Sequence, residues 1–190
     1  SARLWEPAQR YGALLAALPF VRMVALTGAL SMRNAADTDD DIDYMLITAR
    51  GRVWLARLLA VIVVRLVRLR GIRLCPNYVL AEHALPQARH DLYMAHELAQ
   101  MIPLAGRALH DRMRAANAWT AAYLPNASDP LHPVPDRQPR GLGRWVQRGA
   151  EWLLGGAIGS ALDAWEMRRK QRKFQRESIP VPSRSAAQLD

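Results

Sequence analysis

An α/β fold, a small mixed sheet with flanking helices followed by a helical C-terminal half, is what this 190-residue sequence predicts. Three observations carry that expectation. Two β-type runs, 20–27 and 42–48, each close on a glycine-containing turn. A long helical segment, 52–69, leads from the second run to a third, 72–80. From Asp91 onward the apolar period changes to helical and stays so.

Residues 8–18 read as a short helix ended at Pro19, whose ring cannot continue the backbone hydrogen bonding. Gly28 stops the first strand, and Ala49, Arg50 and Gly51 close the second. Helix 52–69 sets arginines among leucine and valine, as expected of an element buried along one side. Its apolar stretch, 58–64, is hemmed in by Arg57, Arg65, Arg68 and Arg70, far short of the roughly 20 apolar residues of a spanning helix. Gly71 ends it, and Pro76 marks the third strand as an edge or bulged one. Helices 91–101 and 107–123 follow, separated by Pro103 and Gly106. Four prolines make 128–140 a linker. Beyond it, Trp145, Trp152, Leu153, Ile158, Leu162 and Trp165 space an amphipathic, basic helix over 141–176, weakened by Gly155, Gly156 and Gly159. Its tryptophans are expected to pack against the body. The division expected is a core over 1–82, a helical extension over 83–127, the linker, the C-terminal helix, and a disordered tail over 177–190.

The net charge of +9 comes almost wholly from arginine, with Lys170 and Lys173 the only lysines. Residues 1–80 carry 11 basic and 6 acidic groups, 81–140 carry 6 and 6, and 141–190 carry 9 and 5. Positive charge so gathered attracts polyanions: nucleic acid, nucleotide phosphates or an acidic membrane surface. The lone Cys75 excludes an intrachain disulfide framework and a cysteine-based zinc site, and makes a reducing compartment the default. The first residues hold no apolar stretch of signal-peptide form, so a cytoplasmic location is expected.

The chemistry-bearing stretch runs from Leu26-Thr27-Gly28-Ala29-Leu30-Ser31 through Arg33 to Asp37, Asp39, Asp40 and Asp41-Ile42-Asp43-Tyr44. A strand that ends in glycine and a tight turn exposes backbone N–H groups to a phosphate. In the second strand, Asp41 and Asp43 project to one side and Ile42 and Tyr44 to the other. Two such carboxylates repel unless a cation lies between them, and hard oxygen ligands suit Mg²⁺. An acidic run is otherwise a solvated loop. A calcium loop is excluded, because Ile42 and Thr48 stand where glycine and glutamate are needed. His96-Glu97-Leu98-Ala99-Gln100 begins like a zinc-protease helix but has Gln100 in place of the second histidine. His83, His90, His110 and His132 show no ligand spacing.

The segment from Leu26 to Tyr44 resembles the signature of the nucleotidyltransferase superfamily that includes DNA polymerase beta, particularly its small bacterial members. That signature is a hydrophobic residue, Gly, then Gly or Ser, a spacer, and Asp-hydrophobic-Asp/Glu-hydrophobic. The order strand, turn, short helix, strand, helix, strand over 20–80 is the one that fold requires. Two later runs, 74–78 and 91–106, resemble bacterial proteins known only to contain such a domain. The resemblance implies Mg²⁺ (or Mn²⁺) held by catalytic Asp41 and Asp43. It implies a nucleoside triphosphate, ATP first among them, whose phosphates lie against Gly28, Ala29 and Ser31. Arg33 either contacts the triphosphate or is simply exposed. The implied reaction moves an NMP group to a hydroxyl on a small molecule, a protein or an RNA end.

Two departures stand out. Ala29 lacks the usual hydroxyl, which Ser31 is placed to supply instead. The family's third carboxylate position matches Asn77, with Glu82 just beyond it. The alternative is a catalytically lapsed module that binds RNA or another polyanion, anionic lipid included, through Arg168, Arg169, Lys170, Arg172, Lys173 and Arg176. In the bland reading this run merely solvates the last helix.

Overall fold

The computed structural model describes residues 2–31, 41–127 and 134–176. Among them, seven α-helices flank a four-stranded mixed sheet. Helix α1 (Ala2–Ala16) leads to strand β1 (Val21–Leu26), the short helix α2 (Gly28–Ser31) and strand β2 (Ile42–Thr48). Helix α3 (Val53–Arg68) then crosses to strand β3 (Leu74–Ala81). Helix α4 (Leu92–Gln100), strand β4 (Ile102–Ala105) and helix α5 (Arg107–Ala116) follow, with a 3₁₀ turn over Ala118–Ala122. Helices α6 (Gly141–Gly155) and α7 (Ala157–Arg176) complete the described chain.

The sheet order is β3-β2-β1-β4. β1 pairs antiparallel with both β2 and β4, and β2 pairs in parallel with β3. The parallel pair needs a crossover, and α3 supplies it. Ile42, Tyr44 and Leu46 point to one face, where Leu4, Ala8, Tyr11 and Leu15 of α1 and Leu55, Ala56 and Ala60 of α3 cover them. Met45 and Ile47 point to the other face, against Met94 and Leu98 of α4 and Leu109 and Met113 of α5. The two central strands are thus buried on both sides, which explains their nearly unbroken apolar runs.

β3 is an edge strand with a bulge, as Pro76 predicts. Tyr44 faces Pro76 and Met45 faces Tyr78, so Asn77 is the extra residue. The insertion reverses the alternation of side chains. Leu74 belongs to the α1/α3 core, whereas Tyr78 and Leu80 join the α4/α5 core.

Several sequence expectations are corrected, among them the helix expected over 107–123, which ends as α5 at Ala116 and gives way at Asn117 to the 3₁₀ turn. Helix α1 starts at Ala2 and tolerates Pro7, because Leu4, Ala8, Tyr11 and Leu15 make one buried stripe. Residues 102–105, read only as a break between helices, form β4, with all four residues buried. Pro103 is tolerated there because β4 pairs with a strand on one side only. The single C-terminal helix is two, divided at Gly156.

The described part of the proline-rich segment, 134–140, lies along β4. Val134 is buried, Arg137 N–H donates to Leu104 O at 2.8 Å, and Asp136 accepts from the N–H groups of Gly106 and Arg107 at 3.2 Å. That carboxylate serves the first turn of α5 as a cap supplied from elsewhere in the chain.

The C-terminal pair docks largely through polar side chains, with Leu154 and Met167 packed among them. Gln147 of α6 donates to the carbonyls of Ala16 and Leu18, and Glu151 accepts from Phe20 N–H at 2.7 Å and from Arg22 at 2.6 Å. Asp163 of α7 accepts from Leu55 N–H at 2.7 Å, in the first turn of α3, whose own N-cap Arg52 makes no side-chain cap. Glu166, almost fully buried, binds Arg169 through both oxygens and lies 3.9 Å from Arg57. The tryptophans expected to pack inward do the reverse: Trp145 is 71% exposed, Trp152 82% and Trp165 50%. Among the described residues, no helix is long and apolar enough to cross a membrane.

Docking through Asp163 has a measurable consequence. Asp163→Ala leaves the Leu55 N–H without its acceptor and should lower stability by about 1–2 kcal/mol, the usual worth of a lost cap. Urea unfolding of the full chain measures it.

Candidate functional site

The candidate site forms where the C-terminal end of β1 meets the N-terminal end of β2. Thr27 N–H donates to Asp43 O at 3.0 Å, which carries the pairing one residue past β1. Gly28 follows with φ +67, in the left-handed region. A Cβ at this position would collide with the Asp43 carboxylate. Both facts require glycine, and both place the turn directly against Asp43. In the turn itself, Ala29 is exposed, Leu30 is buried, and the buried Ser31 donates its hydroxyl to Gly28 O at 2.7 Å. Ser31 is therefore committed to the backbone of its own turn.

Asp43 is half-buried and Asp41, just before β2, is exposed. Asp41 forms an ion pair with Arg73 Nε at 3.0 Å. Across the parallel ladder Asp43 stands beside Cys75. The Cys75 thiol donates to Asn77 Oδ1 at 2.9 Å. Burial pushes that thiol above its ordinary range, and the charges of Asp43 and Asp41 and a hydrogen bond with Asp43 push it further. Cys75 is thus held as a thiol rather than a thiolate.

Sequence reasoning overlooked Glu97. It lies on α4, which packs over the face that carries Met45 and Ile47, and hence Asp43 by alternation. Its Oε2 is buried with no hydrogen-bond partner, and burial, then the charge of Asp43, raises its proton affinity. Nearby, Tyr78 pairs with Tyr93, and burial raises the Tyr78 hydroxyl. Asp91 caps α4 by accepting from Met94 N–H at 2.9 Å and also pairs with Arg89. The signal for Glu97 was present in the spacing. Met94, Glu97, Leu98 and Met101 make one helical stripe, which aims the carboxylate at the sheet.

The other expected residues are placed as follows. Asn77 is exposed at the bulge, with its amide oxygen on the Cys75 side. Glu82 lies past the opposite end of β3, where its N–H bonds Thr48 O and its carboxylate meets Arg50 N–H. The structure does not bring it to the aspartates. Arg33, Asp37, Asp39 and Asp40 lie outside the described residues. Arg168, Arg172 and Lys173 are exposed on α7, Arg169 is held by Glu166, and Arg176 is the last residue of that helix. Burial and the Arg57 charge lower Lys170. Helix α7 packs on α3, so this basic run and the Asp43 carboxylate belong to opposite faces of the sheet.

Chemically, the site offers two oxygen-donor carboxylates in tandem, a glycine turn against one of them, and an unsatisfied buried carboxyl oxygen near the same one. Among the described residues, no three or more His, Cys, Asp or Glu groups gather as a ready metal cage. A hard divalent cation fits the donor type of Asp41 and Asp43, with remaining positions left to water or substrate oxygens. No family model, no curated protein and no solved structure matches this chain.

The raised proton affinity of Glu97 has a definite sign in stability. Between the unfolded and native pKa values the native state holds the extra proton, so stability falls as pH rises through that interval. Glu97→Gln removes this penalty. Its melting temperature should exceed the wild type's at about pH 8 and converge with it at about pH 3, where both states of the wild type are protonated. Thermal denaturation across that range reads both limits.

Proposed function

We propose that the protein is a Mg²⁺-dependent nucleotidyltransferase (Mn²⁺ serving in its place) that moves an NMP group from a nucleoside triphosphate, ATP first among them, to a hydroxyl acceptor. The observation that carries this reading is the fit of Gly28 against Asp43, with Asp41 two residues away at the exposed start of the same strand. Glycine, required here by its positive φ, lets the turn lie directly against the Asp43 carboxylate, which is what a site needs when phosphate and cation must meet at one point.

In this reading the backbone of the turn from Gly28 to Ser31 receives the triphosphate, and Asp41 and Asp43 hold the cation, with Asn77 as a neutral additional oxygen. The bound cation supplies charge stabilisation at the α-phosphate and the departing pyrophosphate. Arg73, paired with Asp41, is the cationic side chain placed to meet phosphate oxygens beside that carboxylate. The acceptor hydroxyl oxygen forms a bond to the α-phosphorus, the α–β bridging P–O bond breaks, and pyrophosphate leaves. Glu97, whose environment favours holding a proton, takes the hydroxyl proton. A cytoplasmic location goes with this reading, as it does with a lone cysteine.

A second reading, a module that has lost transfer activity, draws on the turn. Ser31 is bonded to Gly28 and Ala29 carries no hydroxyl, so the turn offers a phosphate only its backbone. Calorimetry with ATP in the presence and absence of Mg²⁺, beside a radiolabelled transfer assay, separates the two. Metal-dependent ATP binding with label transfer supports the enzyme, and failure of both leaves the module.

Asp43→Asn should abolish metal-dependent nucleotide binding while the melting temperature holds or rises, because one of several crowded acidic groups is neutralised. Asp41→Asn should also abolish transfer, at a stability cost of no more than about 1 kcal/mol for its exposed ion pair. Ala29→Ser, at an exposed position of the turn, should tighten ATP binding by about 0.5–1.5 kcal/mol. Titration calorimetry and thermal melts of the three variants supply both readouts.

A further inference from the structure

The geometry points to the outward faces of α6 and α7 as a surface that lays the protein on a bilayer of anionic phospholipid. In an ordinary amphipathic helix the apolar side is buried and the polar side wetted. Here polar residues take most of the inner side and the larger apolar ones are left outside. On α6 Gln147 and Glu151 hydrogen-bond the body, and Leu154 beside them packs on the core, while the outward stripe holds Trp145, Trp152 and Leu153. On α7 the body contacts are Asp163, Glu166 and Met167, and the outward stripe holds Ile158, Leu162 and Trp165. Six large apolar side chains of two neighbouring helices thus stand in water, and exposure gathered in this way marks an interaction surface.

Charge identifies the occupant. The acidic residues of 141–176 are Glu151, Asp163 and Glu166; the first two are hydrogen-bonded to the body, and the buried Glu166 is neutralised by Arg169 of its own helix and by Arg57 of α3. The exposed charges of the same helices, Arg144, Arg148, Arg168 and Arg172 among them, are basic. Along α7 the outward side passes from apolar, at Ile158 to Trp165, to basic, from Arg168 onward. A surface of tryptophan and aliphatic side chains with arginine beside them matches the boundary between lipid headgroups and acyl chains. Single-stranded RNA is the poorer fit, since it stacks on aromatic faces and has no use for exposed Leu153, Ile158 and Leu162. Neither helix is long and apolar enough to span, so the mode is to lie on the membrane. Because α7 packs on α3, across the sheet from Asp43, a protein lying on this surface keeps the candidate site toward the solvent side.

The test is co-sedimentation of the full 190-residue chain with vesicles of phosphatidylcholine alone and with vesicles that also contain phosphatidylglycerol. The expected result is binding to the anionic vesicles, weakened by high salt, and a blue shift of tryptophan emission on binding. The double variant Trp152→Glu/Leu153→Glu should reduce partitioning about tenfold or more, through lost apolar burial and added like charge. Both side chains point outward, so its circular dichroism and melting temperature should match the wild type's. If that variant fails to fold, Arg168→Glu/Arg172→Glu carries the test, with the same loss on anionic vesicles and no change on neutral ones. Absence of binding to anionic vesicles overturns the proposal, as does binding that ignores both pairs of substitutions. A wild-type dimer by light scattering that Trp152→Glu/Leu153→Glu makes monomeric would assign the face to a second copy instead. Salt-sensitive binding of single-stranded RNA that anionic vesicles fail to displace would assign it to nucleic acid.

Discussion

Everything in this molecule is arranged around two strands that are apolar on both sides. From Val24 to Leu26 and from Tyr44 to Ile47, β1 and β2 are sealed between two layers of helix, with essentially no surface in contact with water. A carboxylate in the middle of such a strand would cost several kcal/mol to bury. Charged chemistry is therefore confined to the strand ends. Antiparallel pairing decides which ends coincide, setting the exit of β1 against the entry of β2. Gly28 and Asp43 meet for that reason, and their meeting does not depend on the connection between α2 and β2.

A second constraint explains why the C-terminal helices turn their polar sides inward. The part of the body they cover is built of chain ends: the carbonyl of Ala16 at the end of α1 and of Leu18 just after it, the N–H of Phe20 at positive φ, and the Leu55 N–H in the first turn of α3. Such groups have no partners within their own helices. Leaving one buried and unpaired costs roughly 1–3 kcal/mol. Apolar side chains cannot satisfy them, whereas Gln147, Glu151 and Asp163 can. The tryptophans face outward because the inner side was already required for hydrogen bonding.

The central elements were legible because periodicity and punctuation agreed in them. β2 spans the predicted residues, α3 begins and ends one residue inside its predicted limits, and the bulge falls beside the proline that announced it. β4 was hidden by its brevity and by Pro103, since four residues are too few to display a period of two. The inverted docking was hidden for a different reason. A hydrophobic stripe tells which side of a helix is apolar but not whether a core exists to receive it. Glu97 is masked by its neighbours, since His96-Glu97 looks like the start of a metalloprotease motif and draws attention from the buried stripe of Met94, Leu98 and Met101. The paired aspartates were legible as a motif, while the engagement of Asp41 by Arg73 is a tertiary matter that spacing alone does not encode.

The irregular outer strands also govern how copies of this protein can meet. An exposed strand edge is a template on which another chain can add, and proteins blunt such edges with proline, bulges or a covering segment. This sheet does so on both flanks. Pro76 and the extra Asn77 disrupt the free side of β3, and 134–140 covers the free side of β4 through the bond from Arg137 to Leu104. Growth of the sheet from one molecule into the next is thereby discouraged at both borders. Even with its large apolar faces in water, the chain is directed to associate through helices, where contacts separate again on dilution, rather than through the backbone ladders that build fibrils.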